Sequence, residues 1–439
     1  ESLDGLSSLK ELHLDHNHIE EIQPGAFIQL GFLNMLALTH NHLVYIPNMA
    51  FQGLQNIKWL RLSYNSLNNL ALEAFAGLFT LSRLSLDHNE LQFFPTLTMM
   101  RTQLLDLRGN HFHFIPSSSF PGTGQVVSLH MEFCKIHEIE GGAFQGMRNL
   151  LYLYLSDNDL MSLEPKTFAG VPQLTYLHLE GNRLTEFPGA ALSLVPNLFV
   201  LHLERNAISK LEPAGLLSSA APKLMELYLS NNTISVIAKG ALSFALIKTF
   251  HLDSNQLTEV PADALTDVPH LEELNLSQNS VRWVGPRTFQ DISQSLQRLY
   301  MDQMGIEKLK ELPDLSALTG LEMIDMRDNP LLCDCALLPL RRWMESVRLE
   351  VSATCGHPLG LRGQQVGDTN VFATCPDNTT ALAEAAAVGP RPVKMKSTRV
   401  KTRPEKLKLD KLPRGQHRRK AAKQKKAKYK KMKKENRGN

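Results

Sequence analysis

Ring-bearing and acidic side chains recur along the middle of the chain at intervals of about 24 residues. These residues are His130, Tyr152, Tyr154, Tyr176, His178, Glu180, His202, Glu204, Tyr228 and His251. Rings with apolar faces and polar edges give a large contact area at a small cost in entropy. Carboxylates beside them attract Lys and Arg of a partner. We therefore predict a binding track for an elongated protein.

Other interpretations of this set stay open. Stacked polar rings also stabilise a sheet through pairing between neighbouring strands, so a purely structural role is equally consistent with the pattern. A metal site at His178 and His202 is the weaker alternative, because two ligands lack a third. Catalysis is not indicated, since a nucleophile needs a base within hydrogen-bond reach in a pocket. We expect no enzymatic activity, no cofactor and no bound metal.

The five cysteines divide into a C-terminal group of four and the separate residue Cys134. The spacing of Cys333, Cys335, Cys355 and Cys375 favours two disulfides over zinc, which would usually bring C-x2-C pairs or nearby histidines. Four cysteines permit three connectivities, of which pairing between the adjacent Cys333 and Cys335 is not expected. Disulfides indicate an oxidising compartment. We expect Cys134 to be a free, buried thiol.

The last part of the chain is strongly basic. Residues 390–439 contain 22 Lys and Arg and 3 Asp and Glu, which leaves 25 basic and 41 acidic residues in the rest. This composition predicts a disordered tail that binds polyanions. The densest positions are Arg418, Arg419, Lys420, Lys425, Lys426, Lys428, Lys430, Lys431, Lys433 and Lys434. Because an oxidising compartment argues against nucleic acid, heparan sulfate or another sulfated glycosaminoglycan is the expected ligand, followed by charged cell surfaces.

Three Asn-x-Ser/Thr sequons mark candidate N-glycosylation sites, at Asn231, Asn275 and Asn378. Asn378 is the strongest candidate, because it follows the last cysteine in a segment that we expect to be exposed. No run approaches the roughly 18 apolar residues that span a bilayer, so we expect no transmembrane segment.

The elements that would position these residues are repeats. The segment 81–91 has the form L-x-x-L-x-L-x-x-N-x-L, and about fourteen such units follow one another, mostly 24 residues apart. In L-x-L the leucines point inward and the residues between them point outward, so each unit predicts one short strand of a parallel sheet. The Asn amide bonds the backbone of the turn that follows. Cys134 and Met304 replace this Asn, and we expect an irregular turn at Met304.

Phenylalanine recurs fourteen residues before the Asn position and predicts an aromatic spine under the convex side. Its members are Phe27, Phe51, Phe75, Phe120, Phe144 and Phe168. Prolines fix the short stretches between the turns and this spine. The pattern resembles extracellular leucine-rich repeat proteins. We therefore expect an α/β solenoid: a leucine-rich repeat arc with a parallel concave sheet and short irregular convex segments.

The chain is predicted to have three parts. Residues 1–331 form the solenoid of about fourteen repeats, residues 332–376 a cysteine-rich C-terminal cap, and residues 377–439 a disordered linker and basic tail. A solenoid needs a cap at each end, and Leu3 already falls in the phenylalanine column. We therefore expect the N-terminal cap to be missing and the chain to come from a longer secreted protein.

The cap region narrows the resemblance. Leu340–Trp343, Ala353–Cys355, Arg362–Gln364 and Phe372–Cys375, followed by a basic tail, are similar to the class IV small leucine-rich repeat proteoglycans, the chondroadherin family. The resemblance implies disulfides from Cys333 to Cys355 and from Cys335 to Cys375, with the crossed pairing still open. It also implies a cartilage-type matrix protein that binds collagen and cell surfaces.

The function that we expect is that of an interaction protein of the extracellular matrix. The solenoid would bind collagen, and the tail would bind glycosaminoglycan or cell surfaces, including receptors such as integrins. Such a protein would modulate collagen fibril assembly and chondrocyte behaviour. The alternative is a secreted binding module or antagonist for a growth factor or receptor, which would bind one globular ligand at a defined stoichiometry.

Overall fold

The computed structural model describes residue 3 and residues 5–375, apart from residues 95–100, 213–220, 239–240, 243–245, 262–263, 282, 285–287, 309–314, 348–349 and 369. These residues belong to one unit, Glu1–Cys375. The sequon at Asn378 and the basic clusters from Arg418 to Lys434 lie outside the described residues.

The described residues form a parallel sheet of fifteen strands in which each strand pairs with the next along the chain. Fourteen strands come from the repeats and one from the cap. The register places leucine opposite leucine, as in Leu153 with Leu177, so the buried leucines form continuous columns. The strands are Glu11–His13, Met35–Ala37, Trp59–Arg61, Arg83–Ser85, Leu104–Asp106, Ser128–His130, Tyr152–Tyr154, Tyr176–His178, Val200–His202, Glu226–Tyr228, Thr249–His251, Glu273–Asn275, Arg298–Tyr300, Met323–Leu332 and Glu350–His357.

The convex side contains only short elements within the described ranges. Its two-residue strands pair as Tyr45–Ile46 with Asn69–Leu70, Phe114–Ile115 with Glu138–Ile139, Lys210–Leu211 with Val236–Ile237, and Glu259–Val260 with Trp283–Val284. A four-residue helix spans Gly189–Leu192, and 3-10 helices span Gln290–Ile292 and Leu315–Ala317. The predicted arc of a leucine-rich repeat solenoid is confirmed, because short convex segments accompany a continuous concave sheet.

The phenylalanine spine is present and stacked. Ring centroids lie 6.1 Å apart for Phe27 and Phe51 and 5.8 Å apart for Phe120 and Phe144. The spine changes course at the shortest repeat, where the Phe94 ring stacks on Phe112 and meets Phe120 edge-on. These rings hold the convex segments against the leucine core.

Buried asparagines connect each repeat to its neighbours. The Nδ2 of Asn89 donates to the carbonyl of Leu86 in its own repeat at 2.9 Å and to that of Leu62 in the preceding repeat at 3.0 Å. Its Oδ1 accepts from the backbone N–H of Leu67 at 3.0 Å. The same Nδ2 also lies 3.2 Å from the carbonyl oxygen of Asp87, so one amide bonds four backbone groups in two repeats.

The two repeats without Asn make irregular turns. In ordinary repeats, only the residue before the Asn position has a left-handed φ. In the repeats of Cys134 and Met304, the residue after that position is left-handed as well, with φ of 59° at Lys135 and 81° at Gly305. This second kink lets the next asparagine accept two backbone N–H groups. The irregular turn at Met304 is thus present, and Cys134 shares its geometry.

The C-terminal cap closes the last repeat. Its strand Glu350–His357 pairs with Met323–Leu332, and a helix spans Leu338–Ser346 between the cysteines. Short 3-10 helices span Cys335–Leu337 and Leu359–Leu361. Disulfides join Cys333 to Cys355 and Cys335 to Cys375, the pairing that the family resemblance implied. Cys134 is free and buried.

Peptide mapping without reduction should find only Cys333 linked to Cys355 and Cys335 linked to Cys375. Cys134 should react with an alkylating agent only after unfolding, because burial raises the pKa of its thiol to about 12 and the thiolate is the reactive form. Bound zinc with all four cap thiols free would contradict both the cap and the oxidising compartment.

Candidate binding surface on the concave face

The third residue of each central strand carries a ring, and these rings form one stack that we call the ring ladder: His130, Tyr154, His178, His202 and Tyr228. Neighbouring centroids lie 4.2, 4.5, 4.4 and 4.5 Å apart, with interplanar angles between 3° and 18°. The in-register strands impose this geometry, because each ring stands opposite the next. All five side chains are half-buried.

His251 leaves the stack that the sequence predicted for it. Its ring meets Tyr228 edge-on, at an interplanar angle of 78°. The cause is an acidic neighbour, since its Nε2 lies 3.0 Å from a carboxylate oxygen of Glu273 on the next strand. The continuous part of the ladder therefore ends at Tyr228.

The predicted tyrosines and glutamates flank the ladder on its two sides. Tyr152 and Tyr176 stack on each other with their centroids 4.8 Å apart. On the other side, Glu180 Oε1 lies 3.3 Å from Nδ1 of His178, and Glu204 Oε1 lies 2.8 Å from Nδ1 of His202. The structure thus brings nine of the ten predicted residues into one continuous surface, with His251 at its edge.

Charge on this surface is set by the histidine–glutamate pairs. Burial alone would lower the pKa of His202, but the hydrogen bond with Glu204 and the nearby carboxylates raise it. Burial would raise the pKa of Glu180, and the hydrogen bond from His178 lowers it. The lowered pKa of Glu180 favours its charged carboxylate, and the raised pKa of His202 means that this imidazole keeps its proton more readily than usual.

Three carboxylate oxygens under the ladder are buried and have no hydrogen-bond partner among the described residues: the Oε2 atoms of Glu132, Glu180 and Glu204. The sequence could identify these glutamates as a column, but it could not show that one oxygen of each would be enclosed. Buried polar atoms of this kind usually have a partner. They mark the floor of the ladder as a place suited to a cationic group.

Comparison with known proteins agrees with this architecture. The model of the family described as "Leucine rich repeat" matches residues 1–43, 33–91, 124–184 and 246–306. Human chondroadherin-like protein is 38% identical over 111 residues, which are 20% of this chain and 15% of that protein. Mouse chondroadherin is 34% identical over 116 residues, 26% of this chain and 31% of that protein.

The chain has the leucine-rich repeat fold, and parts of it are similar to chondroadherin and chondroadherin-like protein. Its matches span less than a third of the length of those relatives. Among solved structures, that of a TLR13–ssRNA13 complex superposes with a TM-score of 0.74 at 23% identity, covering 85% of this chain and 54% of that one. A Leptospira interrogans leucine-rich repeat protein gives 0.64 at 25% identity, covering 79% and 84%. These structures show the same solenoid fold.

A second polar cluster of this leucine-rich repeat protein lies nearer its N-terminus, on the same concave face. The guanidinium carbons of Arg61 and Arg83 lie 5.3 and 5.6 Å from the ring centroid of Trp59. Among the described residues neither arginine has an ion-pair partner within 4 Å. This cluster was not predicted from the sequence, because the outward-facing columns that indicated the track are those of the central repeats. Reading the same columns from Trp59 onward would have found it.

Two of the three sequons lie within the described part of the chain. Asn231 is exposed in a turn, and Asn275 stands on the concave face between His251 and Tyr300 of the neighbouring strands. A glycan on Asn275 would project from the concave face near the ring ladder.

Within the described part of the chain, no helix has the length and apolar character needed to span a bilayer.

Proposed function

We propose that the ring ladder is a protein-binding track whose ligand is collagen. The observation that carries the proposal is the unbroken stack from His130 to Tyr228, with carboxylates along one side. Five strands spaced about 4.8 Å apart give a flat track about 20 Å long. An open track of this length suits a rod that lies along it better than a small molecule, which needs an enclosed pocket.

The chemistry of the track also fits a rod that displays Lys and Arg. Ionised Glu180 and Glu204 attract such side chains, and the tyrosine and histidine rings offer flat surfaces for their aliphatic stems and for proline rings. This leucine-rich repeat protein is similar to proteins of the chondroadherin group, and the two disulfides are typical of an oxidising compartment. Both points support a secreted protein of the extracellular matrix.

We also propose that the basic tail binds a second partner while the track binds the first. The tail would hold a sulfated glycosaminoglycan or a cell surface with receptors such as integrins, while the solenoid holds collagen. A protein with both attachments would modulate fibril assembly and chondrocyte behaviour without any catalytic step. Such a protein would act by binding alone, which is consistent with an open face that has no enclosed pocket for catalysis.

Replacing Tyr154, His178 and His202 together with alanine should weaken collagen binding at least about tenfold. Buried aromatic contacts at interfaces each contribute about 1–2 kcal/mol, and 1.4 kcal/mol is a factor of ten. Co-sedimentation with collagen fibrils and surface plasmon resonance would measure the loss, and circular dichroism should remain unchanged.

A matched variant replaces three exposed rings outside the concave strands, Phe32, Phe79 and Phe93. It should bind collagen as the unaltered protein does. Equal loss in both variants would refute the track. Saturable binding to one globular growth factor or receptor, with no co-sedimentation, would favour the antagonist alternative instead.

A further inference from the structure

We propose that His178, Glu180 and His202 form a binding site for a divalent transition-metal ion of the zinc type. Each residue offers one ligand atom, and these atoms all lie within 4.8 Å of one another. His178 and His202 stand opposite each other on neighbouring strands, and Glu180 follows His178 by two residues on the same face. The sequence pattern identified His178 and His202 as two possible ligands, and the fold places Glu180 beside them as a third.

The donor set selects the class of metal. Two imidazoles and one carboxylate, with a fourth position left for water or a partner's side chain, form a usual ligand set of zinc. Calcium and magnesium prefer sites made of oxygen atoms alone. All three residues are half-buried, so an ion can reach the site from solvent.

Two features of the surroundings indicate a cation rather than a passive stack. The Oε2 atom of Glu180 is buried without a hydrogen-bond partner among the described residues, and a metal ion beside this carboxylate would offset that cost. The other feature is Glu204, which lies 2.8 Å from Nδ1 of His202. A carboxylate that holds one imidazole nitrogen and orients the ring is the usual support of a metal-binding histidine.

The ring ladder shows what must change when the ion binds. The His178 and His202 rings now stack 4.4 Å apart, at an interplanar angle of 8°. Zinc–nitrogen bonds of about 2.0–2.1 Å in tetrahedral geometry need the two nitrogens about 3.4 Å apart. Because the strands are fixed by their pairing, the rings must tilt toward each other. Metal binding would therefore break the stack at its centre and remodel the proposed collagen track.

The rest of the ladder contains an internal control. His130 also has a glutamate beside it, with its Nδ1 3.2 Å from Glu132 Oε1. Its neighbour in the stack is Tyr154 rather than a second histidine. Among the described residues, the arrangement of two histidines and a carboxylate occurs only at His178, Glu180 and His202.

The experiment titrates the full chain, first treated with a chelator, with Zn²⁺ in a calorimeter and with Co²⁺ in a spectrophotometer. Co²⁺ should give visible bands of a four-coordinate site. The variants His202→Gln and Glu180→Gln should each raise the Kd of this site at least tenfold, while His130→Gln should leave it unchanged. The NMR signals of the His178 and His202 rings should shift in parallel as Zn²⁺ saturates the site.

The proposal fails if the two ligand variants bind as tightly as the unaltered chain, because the metal then lies elsewhere. It also fails if the His130→Gln variant loses as much affinity as the ligand variants, which would indicate a general effect of the ladder. Neither result depends on collagen, so the outcome is separable from that of the proposed function.

Discussion

Replacing Asn158 with alanine is expected to destabilise the solenoid by about 3 kcal/mol or more. Its amide is the hydrogen-bond partner of three buried backbone groups that have no other partner among the described residues: the carbonyl of Met131 and the N–H groups of Cys134 and Ile136. Its Nδ2 donates to the carbonyls of Met131 at 2.9 Å, Leu155 at 3.0 Å and Ser156 at 3.2 Å. The last two carbonyls also accept from a second donor and would keep it in the variant. Its Oδ1 accepts from the backbone N–H groups of Cys134 at 2.9 Å and Ile136 at 3.0 Å. Each buried group that loses its partner costs about 1–3 kcal/mol.

Two matched alanine variants calibrate this prediction, with the urea midpoint followed by circular dichroism. Asn89→Ala removes bonds to four backbone groups, but three of these groups keep another donor, so it should cost less than Asn158→Ala. Asn149 is exposed and makes only a long contact with Gln125, so Asn149→Ala should leave the midpoint unchanged. A loss at Asn158 no larger than at Asn149 would show that water replaces the amide and that the ladder is not what secures the turns.

The architecture could be predicted because a repeat specifies the same local structure many times. The alternation in L-x-L decides which face each side chain occupies, and a shift of one residue would expose every leucine. The Asn and Phe columns follow from the same spacing. Even the irregular turn at Met304 could be foreseen, because a thioether cannot supply the missing amide.

The orientation of side chains within a column could not be predicted, because it depends on which neighbour each ring finds. His251 stands in the predicted column, yet Glu273 on the next strand turns it out of the stack. The same reasoning dismissed a metal site for lack of a third ligand, since spacing alone did not show that Glu180 would lie beside both histidines. The backbone decides which column a residue occupies, whereas side-chain rotamers decide which neighbouring side chains it contacts.

Removing residues 390–439 is expected to abolish retention on heparin at physiological salt and to leave the thermal midpoint of the solenoid nearly unchanged. The removed segment holds 22 basic and 3 acidic residues, whereas the remainder has 41 acidic and 25 basic residues. Sulfated polysaccharide is repelled by such a remainder. Heparin affinity chromatography with a salt gradient would measure the loss, and calorimetry would measure the midpoint.

Charge density within the tail should matter more than total charge. Neutralising Arg418, Arg419 and Lys420 with glutamine should lower the elution salt concentration more than neutralising three separated residues, Lys394, Arg399 and Lys406. Adjacent charges meet one stretch of polyanion and release several counterions together. Equal shifts in the two variants would mean that only net charge counts.

Retention of the truncated chain at physiological salt would place the polyanion site on the solenoid instead. The sequence totals argue against this, but a local exception lies at Trp59, where the guanidinium groups of Arg61 and Arg83 lie over the ring and form no ion pair within 4 Å in the described part of the chain. Replacing both arginines with alanine in the truncated chain would then decide the matter. Loss of the residual retention would assign it to this cluster, and the tail would act as a second attachment rather than the sole one.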